Sequence, residues 1–243
     1  MVHSFNGFLE TWNPNIESLV KAGYRVVAYD LWGRGLSSSP RVDLSLTVFR
    51  AQLDAIINHS GASKVYLIGS SFGCVIAADY ALHNPGSVEK LVFIGPAGFP
   101  SEGDKTSKLL NAPLLGDLLF HYFGKRLLKE KVEAYFLNEQ AHWAIEKWEE
   151  YAEYPGFTRS ALSTLRYSPV LDYTEGWRRQ GELGKPILFI WGKQDVSFPY
   201  SNAEKAAAFI PHAEIVAIEG AAHWVNIEKP SQVNEAMLSF LSK

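Results

Sequence analysis

The sequence predicts an α/β fold in which a mostly parallel sheet is flanked by helices and interrupted by an inserted helical segment. Short apolar runs alternate with helical stretches along most of the 243 residues, and strands separated by helices pair in parallel through right-handed crossovers. Between Gly95 and about Gly184 the strand-like runs stop and only helical patterns remain. At Gly69-x-Ser71-x-Gly73 a strand turns directly into a helix. Functional side chains of such a fold gather at the carboxyl ends of the strands.

Each predicted element has a local signal. Asn13 caps a helix whose first position is Pro14, and Gly23 ends it, as is typical of asparagine, proline and glycine at these positions. The strands predicted from β-branched and aromatic runs are Tyr24–Tyr29, Val65–Ile68, Lys90–Ile94, Pro186–Trp191 and Glu214–Ile218. The other predicted helices of the sheet region are Leu46–His59, a run of small residues ending at His83, and Pro230–Leu241.

Composition and charge exclude several classes of protein. The net charge of −3 gives no electrostatic basis for binding nucleic acid or an anionic membrane. No apolar run approaches the ~18 residues that a membrane span needs. The segment Met1–Gly7 has neither the basic nor the apolar region of a secretory signal, so we expect a cytoplasmic protein. Cys74 is the single cysteine, which excludes an internal disulfide and a cysteine-based metal site.

The turn at Ser71 is the first candidate for catalytic chemistry. A strand that becomes a helix within one residue strains the middle position, and glycines two places away on either side let the backbones pass. The Ser71 hydroxyl then stands above the sheet edge at a helix N-terminus, where free N–H groups can hold a developing oxyanion. The five residues alone also fit an ordinary turn between a strand and a helix, so partners are needed.

A nucleophilic serine needs a base and a carboxylate, and both follow later strands. Asp195 comes just after one predicted strand and His223 just after the next. The imidazole takes the serine proton, and the carboxylate fixes its tautomer and stabilises the imidazolium. Asp30 and Glu219 are alternative acids. Asp195 is preferred because it follows a strand across a glycine turn, whereas Asp30 matches a structural turn before the serine motif.

Four patterns then occur in order along the chain. They are His3-Ser4-Phe5-Asn6-Gly7, Asp30-Leu31-Trp32-Gly33-Arg34-Gly35-Leu36-Ser37, Gly69-Ser70-Ser71-Phe72-Gly73 and Gly220-Ala221-Ala222-His223. Together they resemble the α/β-hydrolase fold superfamily, in particular its capped branch of serine esterases and C–C hydrolases. The resemblance implies that Ser71 is the nucleophile, His223 the general base and acid, and Asp195 the orienting carboxylate. It also implies an oxyanion hole formed by the backbone N–H groups of Phe72 and Phe5.

The sequence departs from this family pattern in two places. Ser4 stands where the family usually has glycine. The family's first strands precede the histidine loop, which here begins at His3, so the resemblance predicts that the N-terminal strands are missing. The absent third strand would normally pair beside the Ser71 strand, and its loss would leave unpaired backbone groups in the interior. We expect another segment, a strand from a second copy, or residues upstream of Met1 to fill the slot. The last of these keeps the family order.

The inserted segment divides the chain into two predicted domains. Residues 1–95 and 185–243 form the α/β-hydrolase core, and residues 96–184 form a helical cap (lid) over the serine. The predicted cap helices are Leu109–Phe123, Lys129–Phe136, Glu139–Tyr151 and Thr158–Tyr167. The segment is rich in aromatic residues, most of which are expected to pack the cap onto the core. A cavity between Ser71 and such a roof is expected to be mostly apolar.

The leading hypothesis is a carboxylesterase that forms an acyl-enzyme on Ser71 and acts on a small hydrophobic ester. One alternative is a C–C bond hydrolase of meta-cleavage products of aromatics, which uses the same triad. A second is a non-catalytic receptor with the hydrolase fold, since fold alone does not establish function. No metal or other cofactor is expected, because the histidines lack metal-ligand spacing and the glycine loops lack a nucleotide motif. Formation of a homodimer is a further hypothesis.

Overall fold

The computed structural model describes residues 1–100, 111–112, 114–137 and 142–243. Within these ranges, four parallel strands form one sheet in the order β1-β2-β3-β4. They are β1, Val65–Ser70; β2, Val88–Ile94; β3, Ile187–Gly192; and β4, Glu214–Ile218. Each coincides closely with a predicted strand, so the α/β fold class and its parallel sheet are confirmed.

Helices connect and cover the strands. They are α1, Asn13–Lys21; α2, Leu46–Ser60; α3, Phe72–His83; α4, Leu115–Glu133; α5, His142–Ala152; α6, Phe157–Tyr167; α7, Thr174–Leu183; α8, Asn202–Phe209; α9, Val225–Glu228; and α10, Pro230–Leu241. A 3₁₀ helix at Leu9–Trp12 precedes α1. The predictions for α1, α2, α3, α6 and α10 are confirmed. The short helices α7, α8 and α9 were not predicted.

Both faces of the sheet are buried. On β2, Leu91 and Phe93 join a core that includes residues of α2 and α3, whereas Val92 and Ile94 join a second core that includes residues of α1 and α10. This alternation follows from the period of two along a strand. Since helices cover both faces, the carboxyl ends of the strands are where a site can open.

The predicted strand Tyr24–Tyr29 is wrong for most of its length. Tyr29 alone forms a ladder contact, an isolated parallel bridge to Val2, which also bridges to Gly69. Met1 and Val2 are the described residues in the slot between this segment and β1, and Val2 accepts a hydrogen bond from the N–H of Ser70 at 3.0 Å. Beyond Val2, the two segments line a cleft of about 370 Å³. Residues 24–28 form no ladder, because among the described residues no strand lies beside them.

The segment between β2 and β3 is helical but differs in detail from the prediction. The predicted helices Leu109–Phe123 and Lys129–Phe136 are one continuous helix, α4, which ends at Glu133. Gly124 lies within this helix, buried against the ring of Phe120, where a Cβ would overlap with the ring. Residues 101–110, 113 and 138–141 lie outside the described residues, and so do the predicted starts of the first and third cap helices.

Not all aromatic residues of this segment pack inward. Tyr122 is 70% exposed and Phe123 is 55% exposed, whereas Tyr135 and Trp177 are buried. The expectation that such residues mainly join the cap to the core therefore holds for some positions and not for others. The division into residues 1–95 with 185–243 and residues 96–184 stays a prediction, and we call residues 96–184 the cap segment below. In the described ranges, no helix combines the length and apolarity needed to cross a membrane.

Candidate active site

Ser71 lies at a strained turn between β1 and α3. Its backbone has φ 53° and ψ −117°, a conformation that residues with a Cβ adopt at a cost of about 1–3 kcal/mol. A Cβ on Gly69 would lie 2.6 Å from the Cys74 nitrogen, and one on Gly73 would overlap the Val2 carbonyl. The two glycines are therefore required by close backbone contacts. The Ser71 N–H is held by the Ile94 carbonyl of β2 at 2.9 Å.

Asp195 and His223 form a buried hydrogen-bonded pair. Nδ1–H of His223 donates to Oδ2 of Asp195 at 2.7 Å, and neither side chain is exposed. The other carboxylate oxygen accepts the backbone N–H groups of Ser197 at 2.8 Å and Phe198 at 2.9 Å. These bonds fix the carboxylate, which in turn fixes the imidazole tautomer. Nε2 of His223 is therefore an acceptor, and it is buried without a hydrogen-bond partner among the described residues.

Gly95 lies between this pair and the turn at Ser71. It directly follows Ile94, whose carbonyl binds the Ser71 N–H. A Cβ on Gly95 would lie 3.3 Å from Nδ1 of His223 and 3.4 Å from Oδ2 of Asp195. The three predicted residues thus lie together at the carboxyl ends of β1, β3 and β4, as expected for a site in a parallel sheet.

The two alternative acids are held elsewhere. Glu219 is largely exposed and accepts hydrogen bonds from Lys193 at 2.5 Å and from Gln194 at 3.2 Å. Asp30 organises its own loop, because its carboxylate accepts the N–H groups of Leu9 and Leu36. Burial raises the pKa of Asp30 above its usual value. The geometry therefore pairs His223 with Asp195 and with neither alternative.

The loop that contains Phe5 is held by polar contacts. The Ser4 carbonyl accepts the Gly7 N–H at 2.9 Å and Nδ1–H of His3 at 2.8 Å. Nε of Arg34 donates to the Phe5 carbonyl at 2.6 Å, and its guanidinium lies over the Phe5 ring. The Phe5 N–H shares a planar peptide group with the Ser4 carbonyl, so the hydrogen bonds to that carbonyl give the N–H a defined direction. Phe72 is the first residue of α3, so its N–H has no intrahelical acceptor.

Two residues that the sequence did not single out complete the surroundings. Nε1–H of Trp224 donates to Oγ of Ser4 at 3.0 Å. Tyr135, from the cap segment, lies with its ring centroid 4.7 Å from that of His223, and its hydroxyl accepts Nδ2–H of Asn6 at 3.1 Å. The position of Trp224 directly after His223 was an available signal. Nothing local marks Tyr135 among the many aromatic residues of its segment.

The described residues were also compared with the requirements of a metal site. No cluster of three or more His, Cys, Asp and Glu side chains is close enough to hold an ion among those residues. Burial raises the pKa of the Cys74 thiol well above its usual value, which keeps this thiol protonated and unreactive.

Comparisons with known proteins identify the family of this chain. Residues 1–230 match the model of the alpha/beta hydrolase fold family. The chain is 29% identical to a 2-hydroxy-6-oxononadienedioate/2-hydroxy-6-oxononatrienedioate hydrolase of Dechloromonas aromatica, across 100% of this chain and 86% of that protein. A meta-cleavage product hydrolase from Pseudomonas fluorescens superposes with a TM-score of 0.79 at 20% identity, covering 99% of this chain and 89% of that one. A thermophilic esterase from Thermogutta terrifontis superposes with a TM-score of 0.81 at 23% identity, covering 99% and 88%. The chain therefore belongs to the α/β hydrolase fold family, and these matches support a hydrolase.

Proposed function

We propose that the protein is a serine hydrolase that cleaves a carbon–carbon bond in a 2-hydroxy-6-oxo-dienoate. The observation that carries the hydrolytic part is the buried Asp195–His223 pair beside the strained turn of Ser71. The choice of bond is supported by relatives from several bacteria that are named as hydrolases of 2-hydroxy-6-oxononadienedioate. Of the two reactions that the sequence leaves open, these names favour C–C cleavage over ester cleavage.

Acyl transfer is the first half of the proposed reaction. Nε2 of His223 takes the proton of Ser71 as Oγ attacks the ketone carbonyl, and Asp195 stabilises the resulting imidazolium. The oxygen of the carbonyl becomes an oxyanion, and in this proposal the N–H groups of Phe72 and Phe5 bind it. Collapse of this intermediate expels the leaving group and leaves the acyl group on Ser71. Water activated by His223 then releases the acid.

A 2-hydroxy-6-oxo-dienoate supplies the leaving group that C–C cleavage requires. When its 2-hydroxyl ketonises, carbon 5 becomes a CH₂ group between the carbonyl at carbon 6 and an unsaturated ketone. Cleavage of the bond between carbons 5 and 6 places the electron pair on carbon 5, where the unsaturated ketone delocalises it, and the imidazolium of His223 returns a proton. Overall one water is consumed, with hydroxyl added to carbon 6 and hydrogen to carbon 5.

The test is a comparison of two substrates on the same protein. We expect the wild type to convert 2-hydroxy-6-oxonona-2,4-dienedioate into the two products of cleavage between carbons 5 and 6, separated and identified by chromatography, and a Ser71→Ala variant to release neither product. A fluorophosphonate probe should label the wild type at Ser71 and leave the variant unlabelled. Turnover of nitrophenyl esters with no cleavage of the dienoate would contradict the proposed bond and return the function to an esterase. Absence of turnover together with absence of labelling would favour a non-catalytic receptor.

A further inference from the structure

Phe5 lies between two residues whose side chains are both anchored. Oγ of Ser4 accepts the indole N–H of Trp224 at 3.0 Å, and Nδ2 of Asn6 donates to the hydroxyl of Tyr135 at 3.1 Å. All four side chains are buried. The backbone N–H of Phe5 is therefore flanked on both sides by a side-chain hydrogen bond to another part of the chain.

The two anchoring residues are also joined to each other and to His223. The backbone N–H of Trp224 donates to the Tyr135 carbonyl at 3.2 Å, and the two rings lie 5.2 Å apart. Trp224 directly follows His223 in sequence, and the Tyr135 ring lies against the imidazole. The loop of Phe5, the loop of His223 and the cap segment thus meet in one hydrogen-bonded unit.

We propose that this unit, the loop clamp, sets the position of the Phe5 N–H relative to His223 and thereby completes the oxyanion hole. The loop clamp consists of the Ser4–Trp224 and Asn6–Tyr135 hydrogen bonds. Trp224 and Tyr135 are then positioning residues, which act through Phe5. This inference rests on the proposed serine chemistry, because an oxyanion forms only if Ser71 attacks a carbonyl.

The hydrogen-bonding partners available to Asn6, Tyr135 and Trp224 support a positioning role for both bonds. Oδ1 of Asn6 is buried without a partner among the described residues, so the bond from its Nδ2 to Tyr135 is what orients the amide there. Burial raises the pKa of Tyr135 to about 12, so the hydroxyl stays protonated and can accept from Asn6 as a neutral group. Ser4 supplies the acceptor for a buried indole N–H, which would be costly to leave unpaired.

Kinetics can separate positioning from substrate binding. An oxyanion contact is made in the transition state and not in the ground state, so its misplacement lowers the rate of acylation and leaves substrate binding unchanged. Loss of a whole oxyanion donor costs about 10²–10³-fold in rate. A donor that is displaced and still present should cost less, about 10- to 100-fold.

The experiment uses Tyr135→Phe, which removes only the hydroxyl, and Trp224→Phe, which replaces the indole and its N–H by a smaller aromatic ring. Single-turnover acylation by p-nitrophenyl acetate gives the acylation rate constant and the half-saturating concentration. We expect each variant to lower the rate constant about 10-fold or more, with the half-saturating concentration unchanged. Tyr80→Phe is the matched control, because Tyr80 is a buried tyrosine that donates to Asp54 at 3.2 Å outside the site. This control should lose stability and keep its rate.

A second pair of variants tests the coupling directly. Ser4→Ala removes the same hydrogen bond as Trp224→Phe, so the double variant should be no slower than the slower single variant. Ser4→Ala also tests the loop clamp with a small change if the aromatic variants do not fold. Unchanged acylation rates in folded variants, or multiplied losses in the double variant, would overturn the loop clamp while the wild-type rate leaves the proposed function standing. A wild type that neither acylates nor labels would overturn both.

Discussion

Oδ2 of Asp195 lies 2.7 Å from Nδ1 of His223, and solvent reaches neither side chain. In the same region, Glu219 is exposed and bound to Lys193. Asp195 sets the imidazole tautomer, because it is buried and its other oxygen is held by backbone N–H groups. Glu219 is exposed and makes no such contact with the imidazole. Conversion of Asp195 to its amide is therefore expected to lower activity, and the same change at Glu219 is expected to leave activity unchanged.

Asp195→Asn should lower kcat by about 10⁴-fold, because the amide favours the wrong imidazole tautomer and does not stabilise the imidazolium. Glu219→Gln is the matched control, since it makes the same chemical change at an exposed site, and it should keep full activity. Steady-state kinetics on the substrate that the wild type turns over gives both values. Full activity of Asp195→Asn would show that another group orients His223.

Replacement of Ser71 by glycine should give a more stable protein than replacement by alanine. At φ 53° and ψ −117° a residue with a Cβ is strained, and glycine is not. We expect Ser71→Gly to exceed Ser71→Ala by about 1 kcal/mol in the free energy of unfolding. Urea unfolding of the two inactive variants measures the difference. If alanine is equally stable, the turn holds little strain.

The buried histidine of the Phe5 loop should make the protein sensitive to acid. Burial lowers the pKa of His3 to about 3 from its usual 6.5, while Nδ1–H donates to Ser4 and Nε2 accepts from Leu31. His3 takes up a proton near pH 6.5 in the unfolded chain and only near pH 3 in the folded chain. The stabilisation of the folded state by neutral His3 is therefore fully present above pH 6.5. It is lost as pH falls from 6.5 towards 3, by about 1.4 kcal/mol per pH unit.

His3→Gln provides the test of this linkage. The glutamine variant should be less stable at pH 7, and its free energy of unfolding should fall less steeply between pH 6.5 and pH 4 than that of the wild type. Urea titrations at several pH values give both curves. The contributions of the other titratable groups are the same in both proteins, so they cancel when one free energy of unfolding is subtracted from the other. Parallel curves would mean that folding does not lower the pKa of His3.

The cleft beside β1 should accept a further strand. It is lined by Val26, Val27, Tyr66 and Leu67 among others, and Val2 already pairs at its end. A short β-branched segment fused before Met1 would extend this pairing and bury apolar surface. Each kcal/mol gained raises Tm by about 2–4 °C in a chain of this size. Differential scanning calorimetry should show a higher Tm for this fusion and no gain for one of equal length carrying proline, which cannot join a ladder. Equal Tm values for the two fusions would show that no strand forms there.

The sequence by itself determined the elements that depend on short windows. The strands β1 to β4, the helices α1 to α3 and the turn at Ser71 follow from apolar runs, caps and close glycines within about a dozen residues. The positions of Asp195 and His223 at strand ends follow in the same way, because a parallel sheet collects the carboxyl ends of its strands at one edge. These features are local, so neighbouring residues suffice to predict them.

Only the tertiary structure decided which distant groups meet. Tyr24–Tyr29 has a strand-like sequence and still forms almost no ladder, because pairing depends on the chain beside it. The hydrogen bond from the indole N–H of Trp224 to Ser4 and the contact of Tyr135 with the imidazole of His223 both join residues far apart in sequence. Such contacts depend on how the helices pack on the sheet, and short sequence windows carry no record of that packing.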